Sequence, residues 1–210
     1  ANASEDGVGV VAVQTATLEA LAVVLSKGGK KSKLPDSIPS ALQASLQLIR
    51  HSDDSVREAA AKVTGAACNI LGAEKTEETL EDHILSDEDD DDDESGDMRQ
   101  GKACAIRRIF STDVAKKLEA STCSQMLKVA TTYMKDEKLS VKEAGIVAVG
   151  AVVGRSEDSE ACLRSVEKYL LGLMVGDLKQ RLETHQAIAR CLGLCLTLSD
   201  TVSRVQLFGV

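Results

Sequence analysis

One pattern returns four times along this chain: a basic residue, preceded by an uncharged one, opens a stretch rich in small, helix-forming side chains. The copies are Val56-Arg57, Met98-Arg99, Val141-Lys142 and Gln180-Arg181, with the basic positions 42, 43 and 39 residues apart. A period in this range is the mark of helix pairs stacked one on the next, each burying its apolar face only against its neighbours. Such stacks grow one repeat at a time, so a length of 210 residues does not have to be filled by one central core. Arrays of this kind present extended surfaces, which points to binding rather than catalysis.

The side chains suit close helix packing. Hydrophobic residues make up 43% of the chain and are mostly Ala, Leu and Val, while aromatics are 2% and Trp is absent. Only two prolines interrupt the sequence, which favours long helices. Val10 to Ser26 reads as the second helix of a truncated first repeat, with Leu18, Leu21 and Leu25 on one face and Gly28-Gly29 ending it. Pro39 stands near the start of the next helix, whose buried stripe is Leu42, Leu46 and Ile49. Ser52-Asp53-Asp54-Ser55 caps a third helix running from Val56 to Leu71 and stopped by Gly72. A second unit pairs a short helix, Thr76 to Leu85, with one opened by Gly96-Asp97-Met98-Arg99. A third has a helix within Asp113 to Met134, a turn at Lys135 to Lys138, and a helix from Val141 to Val153. A fourth has helices near Ser159 to Met174 and Leu178 to Leu198. No strand-like alternation bounded by turns appears.

These spacings predict an all-α fold, a HEAT-like helical-repeat solenoid of about four helix pairs and nine helices. The turns carry Asp and a basic residue, which favours HEAT over armadillo. The chain is expected to be a single array over residues 1–210, and a piece of a longer solenoid, because it lacks an initiator Met and stops at Gln206-Leu207-Phe208-Gly209-Val210 without the polar cap that closes such a stack.

Charge breaks the regularity once. The net charge is −8, and Asp87, Glu88, Asp89, Asp90, Asp91, Asp92, Asp93 and Glu94 form an unbroken acidic run. The rest of the chain is neutral. Like charges repel and do not pack, so a disordered acidic loop is expected over 86–96. It reads as a solvated insertion, as an electrostatic lure for a basic partner, or as a segment extended further by phosphorylation of Ser86 or Ser95. Net negative charge and the lack of aromatic stacking platforms argue against general or sequence-specific nucleic-acid binding.

Six cysteines (68, 104, 123, 162, 191, 195) lie in apolar helical segments rather than in a disulfide framework. They read as buried, reduced thiols of a cytoplasmic protein, with a nuclear one as the alternative. Gly145 to Gly154 reads as the strongest uncharged apolar stretch and is too short for a membrane helix, so no membrane partner is expected.

Candidate chemistry is sparse. Gly7-Val8-Gly9-Val10-Val11-Ala12 matches the spelling of a dinucleotide loop, but no strand precedes it. Cys191 and Cys195 share a helix face near His185, yet lack the paired spacing of a zinc site. The three histidines (51, 83, 185) fall in different units. No catalytic residue, metal, cofactor or small-molecule substrate is predicted.

Two sets of charges carry more weight. The repeated Arg57, Lys142 and Arg181, with Asp54, Asp97, Asp136 and Asp177, read as a structural ladder between turns; Arg99 belongs to the same repeat. Lys27, Lys30, Lys31, Lys33, Arg99, Lys102, Arg107 and Arg108 read as candidate partner-binding cations, with the Lys27 to Lys33 loop, Lys102 and Arg107-Arg108 the better candidates for exposed contact.

Several segments together resemble a known family. They are Thr17-Leu18-Glu19-Ala20-Leu21 with the Gly28-Gly29 break, the stretch Leu48-Ile49-Arg50-His51-Ser52-Asp53-Asp54-Ser55-Val56-Arg57, and the helix holding Gly65-Ala66. Met98-Arg99-Gln100-Gly101-Lys102, Ile106 and the Val141 to Gly154 helix with Gly145 and Gly150 continue the series. From about 10 to 200 the chain is similar to the C-terminal HEAT-repeat region of the large translational activators of general amino-acid control. The acidic run departs from that family's pattern. The resemblance implies a ribosome-associated scaffold with protein partners, among them a protein kinase or its cofactor, that helps deliver the uncharged-tRNA signal to the kinase of initiation factor 2. It carries over no single contact residue. A nuclear transport receptor of the importin-beta type, which also places an acidic loop within a repeat, is the alternative, although the absence of Trp speaks against its cargo sites. A repeat-built enzyme is a third reading that the scattered histidines do not support.

Overall fold

The computed structural model describes residues 3–28, 37–86 and 95–153, and eight further positions between 166 and 193. Contacts divide the chain into two compact units, Ala1–Leu118 and Glu119–Val210. The described elements are all helical: α1 (Ala3–Gly28), α2 (Ser37–Leu48), α3 (Asp54–Leu71), α4 (Ala73–Leu80), α5 (Gly96–Phe110), α6 (Ala120–Met134) and α7 (Leu139–Val152). A π-turn, Glu81–Leu85, extends α4, and a short 3₁₀ turn, Asp113–Lys117, follows α5. The all-α helical-repeat reading is therefore met in these residues. The expected fourth pair lies almost wholly outside them, as do Cys162, Cys195 and His185.

Helix boundaries follow local chemistry. α1 begins seven residues before the expected Val10. Gly7 to Ala12 lies inside this helix, so the Gly-x-Gly spelling has no strand or loop around it. α1 also corrects the expectation about apolar length. Its Gly9–Gly28 segment is 20 residues long and apolar enough to cross a membrane by length and composition alone. Here Leu18, Ala22 and Leu25 are buried in the first unit, which packs α1 against α3.

α3 is capped by Asp53, whose Oδ1 accepts from the N–H groups of Ser55 (2.9 Å) and Val56 (3.3 Å). Gly72 ends it with φ of +95°, a conformation that disfavours any side chain, and α4 starts at the next residue. The Thr76 hydroxyl lies 2.7 Å from the Gly72 carbonyl and 3.2 Å from that of Cys68, which ties the corner.

α3 is the centre of the first unit. α2 packs on one side and is joined to it by the buried Ser45 and Thr64 hydroxyls, 2.9 Å apart. α1 and α5 also pack on it. Val56, Ala59, Ala60, Ala61, Val63, Ala67 and Cys68 are consequently almost fully buried. The small residues permit this crowding. A Cβ on Gly101 of α5 would stand 1.7 Å from the Ile49 carbonyl oxygen, so only glycine lets the α5 backbone lie on the end of α2.

The expected helix over Thr76 to Leu85 is instead α4 followed by the wider π-turn, with Leu80 and Ile84 both buried. The loop expected over 86–96 is described only at its edges. Ser86 donates to the Asp82 carbonyl at 2.6 Å, and Ser95 caps α5 by accepting from Met98 N–H at 3.2 Å. Asp87, Glu88, Asp89, Asp90, Asp91, Asp92, Asp93 and Glu94 lie outside the described residues.

In the second unit α6 and α7 form a helix pair. A Cβ on Gly145 would meet Met134 N at 2.3 Å, so the two helices touch backbone to side-chain-free backbone. The turn between them is shaped by Asp136, whose Oδ1 accepts from Lys138 N–H at 2.8 Å. Tyr169 donates to the Met134 carbonyl at 3.3 Å, and partial burial pushes its hydroxyl pKa up.

Candidate binding groove on the second helices

One face of α3 is polar, and it faces away from α2. At 3.6 residues per turn, Glu58, Lys62, Gly65, Ala66 and Asn69 fall on one stripe, while Thr64, which meets α2, points to the other side. Each polar residue of the stripe joins a neighbour. Glu58 accepts from Arg107 and from both Nε and a terminal nitrogen of Arg108 on α5, the Nε contact being 3.1 Å. Lys62 donates to Glu19 of α1 at 2.8 Å. Hydrogen bonding and charge from Lys62 hold the exposed Glu19 carboxyl below its ordinary pKa. Asn69 accepts from the Val114 N–H at 3.1 Å, which fixes the 3₁₀ turn after α5.

Between these cross-links runs a groove of about 710 Å³. Gly65 and Ala66 lie at its floor, Ala22, Val23 and Lys27 line it from α1, and Arg108 of α5 with Ser111, Thr112 and Asp113 just after that helix line it from the other side. The floor is low because Gly65 cannot carry a side chain: a Cβ there would stand 2.9 Å from the Arg108 backbone.

A second polar centre lies at the N-terminal turn of α3. Arg57, whose side chain is 4% exposed, donates to the carbonyls of His51 (2.5 Å) and Ser52 (2.8 Å). It also donates to Asp54 and to Gln100 of α5, and lies 3.6 Å from Asp97. His51 Nδ1 accepts from Asp53 N–H at 2.9 Å, which shapes the same turn.

The structure thus brings Arg57, Asp54 and Asp97 together. Asp136 shapes its own turn in the second unit, where Lys142 is half-buried. Asp177 and Arg181 lie outside the described residues. Of the candidate partner-binding cations, Lys27 is exposed and Arg99 half-buried. Lys102, expected at an exposed contact, is buried at 5% exposure, because it sits on the part of α5 that the rest of the unit covers. Arg107 and Arg108 are half-buried and engaged by Glu58 rather than open. Lys30, Lys31 and Lys33 lie outside the described residues. Glu58, Lys62, Asn69 and Glu19 were not among the expected site residues. Their i, i+4, i+11 spacing on an alanine-rich helix is the signal that could have found the first three.

Cys68, Cys104, Cys123 and Cys191 are buried thiols. Burial pushes the Cys68 and Cys104 thiols up to about 12. Among the described residues no group of three or more His, Cys, Asp or Glu could hold a metal ion.

The sequence profile described as "Stalled ribosome sensor GCN1-like, HEAT repeats" matches residues 7–203. The chain belongs to this GCN1-like HEAT-repeat family. No curated protein and no solved structure matches it. The GCN1-like assignment makes α1, α3 and α5 neighbouring helices of a repeat stack, and the groove a feature of that stack's surface.

Proposed function

We propose that this chain is a non-enzymatic scaffold that binds protein partners at the ribosome and helps relay amino-acid starvation to the kinase of initiation factor 2. The observation that carries the reading is the GCN1-like ribosome-sensor match over 7–203, nearly the whole chain. The architecture supports it, since stacked helix pairs present long surfaces made of many side chains rather than one enclosed pocket. The cytoplasm, where ribosomes work, is the proposed location. Lysine-directed cross-linking of the chain to purified ribosomes, read by mass spectrometry, tests the proposal. Cross-links converging on a small set of ribosomal proteins are expected. Their absence, or a pattern matched by an unrelated protein of equal charge, counts against it.

A further inference from the structure

We propose that Ser86 is a phosphorylation site for an acid-directed protein kinase, one whose substrate cleft is basic, and that a phosphate there undoes the last turn of the π-segment Glu81–Leu85. The proposal stands apart from the scaffold reading. Two serines, Ser86 and Ser95, border the acidic run, and their surroundings differ. Ser86 closes the π-segment with an extended backbone, φ −64° and ψ 121°. Its hydroxyl donates to the Asp82 carbonyl at 2.6 Å in a solvent-exposed hydrogen bond. Freeing Ser86 for a kinase cleft costs about 1 kcal/mol for that bond. Ser95 instead caps α5 by accepting from Met98 N–H at 3.2 Å, and Gly96, Asp97 and the buried Met98 already belong to that helix. Drawing Ser95 into an extended segment would uncap α5 and unwind its first turn.

The chain after Ser86 supplies the recognition. Asp87, Glu88 and Asp89 follow the hydroxyl directly, and the run continues to Glu94. A basic cleft gains a charge-assisted contact from each acid it reaches, and it reads them as a linear order, whatever conformation they hold beforehand. Thr76 and Thr79, which acids also follow closely, are buried. In the transfer, Ser86 Oγ attacks the γ-phosphorus of ATP and the bond from that phosphorus to its bridging oxygen breaks. ADP leaves, and the hydroxyl proton passes to the kinase's catalytic carboxylate.

The product cannot keep the bond that Ser86 makes. A phosphoserine carries a charge of about −1.5 to −2 near pH 7 and acts as an acceptor, so it meets the Asp82 carbonyl as like meets like. The C-terminal end of a helix is the negative pole of its dipole, and the exposed Glu81 and Asp82 lie in the same turn. Each of these opposes the phosphate, and the turn opens.

The test incubates the intact chain with ATP and a purified acid-directed serine kinase, with a base-directed kinase as control, and locates phosphate by peptide mass spectrometry. Phosphate on Ser86 is expected from the acid-directed kinase only. Ser86→Ala should abolish it and Ser95→Ala should leave it unchanged. Glu88→Lys with Asp89→Lys should slow it about tenfold or more. Circular dichroism verifies that the variants fold. Amide hydrogen exchange over Glu81–Leu85 should quicken in the phosphorylated chain. The site is overturned by no incorporation, by phosphate on Ser95 instead, or by a rate that the paired lysine substitutions do not slow. Exchange that the phosphate leaves unchanged overturns the opening of the turn.

Discussion

Arg57 donates to the side-chain oxygen of Gln100, and so ties the N-terminal turn of α3 to α5, 43 positions further along the chain. The same guanidinium holds two carbonyls of the turn before α3 and sits beside Asp54 and Asp97. Only a planar fork with several donors can serve the turn and the next helix together. Arg57→Ala is expected to cost about 2–3 kcal/mol, since it strands buried acceptors. Arg57→Lys should recover less than half of that. Asp54, whose side chain is 70% exposed, is different: Asp54→Ala should cost about 0.5 kcal/mol, as exposed ion pairs do. Urea unfolding followed by circular dichroism measures all three, and equal losses for Arg57→Ala and Asp54→Ala would contradict the assignment.

Two glycines should respond in opposite directions. Gly101→Ala forces a Cβ to 1.7 Å from the Ile49 carbonyl oxygen, between two backbones that cannot yield separately. The expected loss exceeds about 3 kcal/mol, well above the ~1 kcal/mol that alanine gains over glycine in a helix interior. A Cβ on Gly9, in α1, meets nothing within 4 Å, so Gly9→Ala should stabilise the chain by up to ~1 kcal/mol. Thermal unfolding midpoints decide this. A neutral Gly101→Ala would show that α5 does not lie on the end of α2.

Cross-links on the α3 stripe should differ in weight. Glu58 is half-buried and holds two arginines, so Glu58→Ala is expected to cost about 1–2 kcal/mol. Glu19 is exposed and, among the described residues, pairs with Lys62 alone, so Glu19→Ala should change the unfolding midpoint little. Reversal of this order would mean that the groove is fastened from α1 rather than from α5.

How much of this was legible depends on what a neighbour covers. The ends of α3 could be read because their causes are local: Asp53 caps and Gly72 turns. The Arg57–Asp54 pairing is likewise a contact three positions apart. Lys102 misled because a lysine on a helix ordinarily reaches water, and its burial is decided by the elements packed around α5. Arg107-Arg108 looked like an open basic patch because its partner, Glu58, stands about fifty positions earlier. Glu58, Lys62 and Asn69 read singly as a solvated face; they become a site only when α1 and α5 are laid beside α3. The π-turn at Glu81–Leu85 left no mark in the spacing of apolar residues, since Leu80 and Ile84 are four apart as in an ordinary helix.

The two thiols predict a pH dependence. Their folded pKa of about 12 lies above the ordinary thiol value, so the unfolded chain releases these protons first as pH rises. Stability from this source is complete below about pH 9 and falls as pH climbs toward 12. At pH 8, iodoacetamide should leave Cys68 and Cys104 unmodified in the native chain and alkylate both in urea, as peptide mass spectrometry would show. Rapid native alkylation of either would contradict their burial.

The central claim, that this chain is a scaffold acting at the ribosome, is tested most directly by salt-graded co-sedimentation with purified ribosomes. The account predicts that the chain pellets with ribosomes at low salt and is progressively released as salt rises, with Lys27→Glu released at lower salt than the parent. A chain that stays in the supernatant at every salt concentration would contradict it.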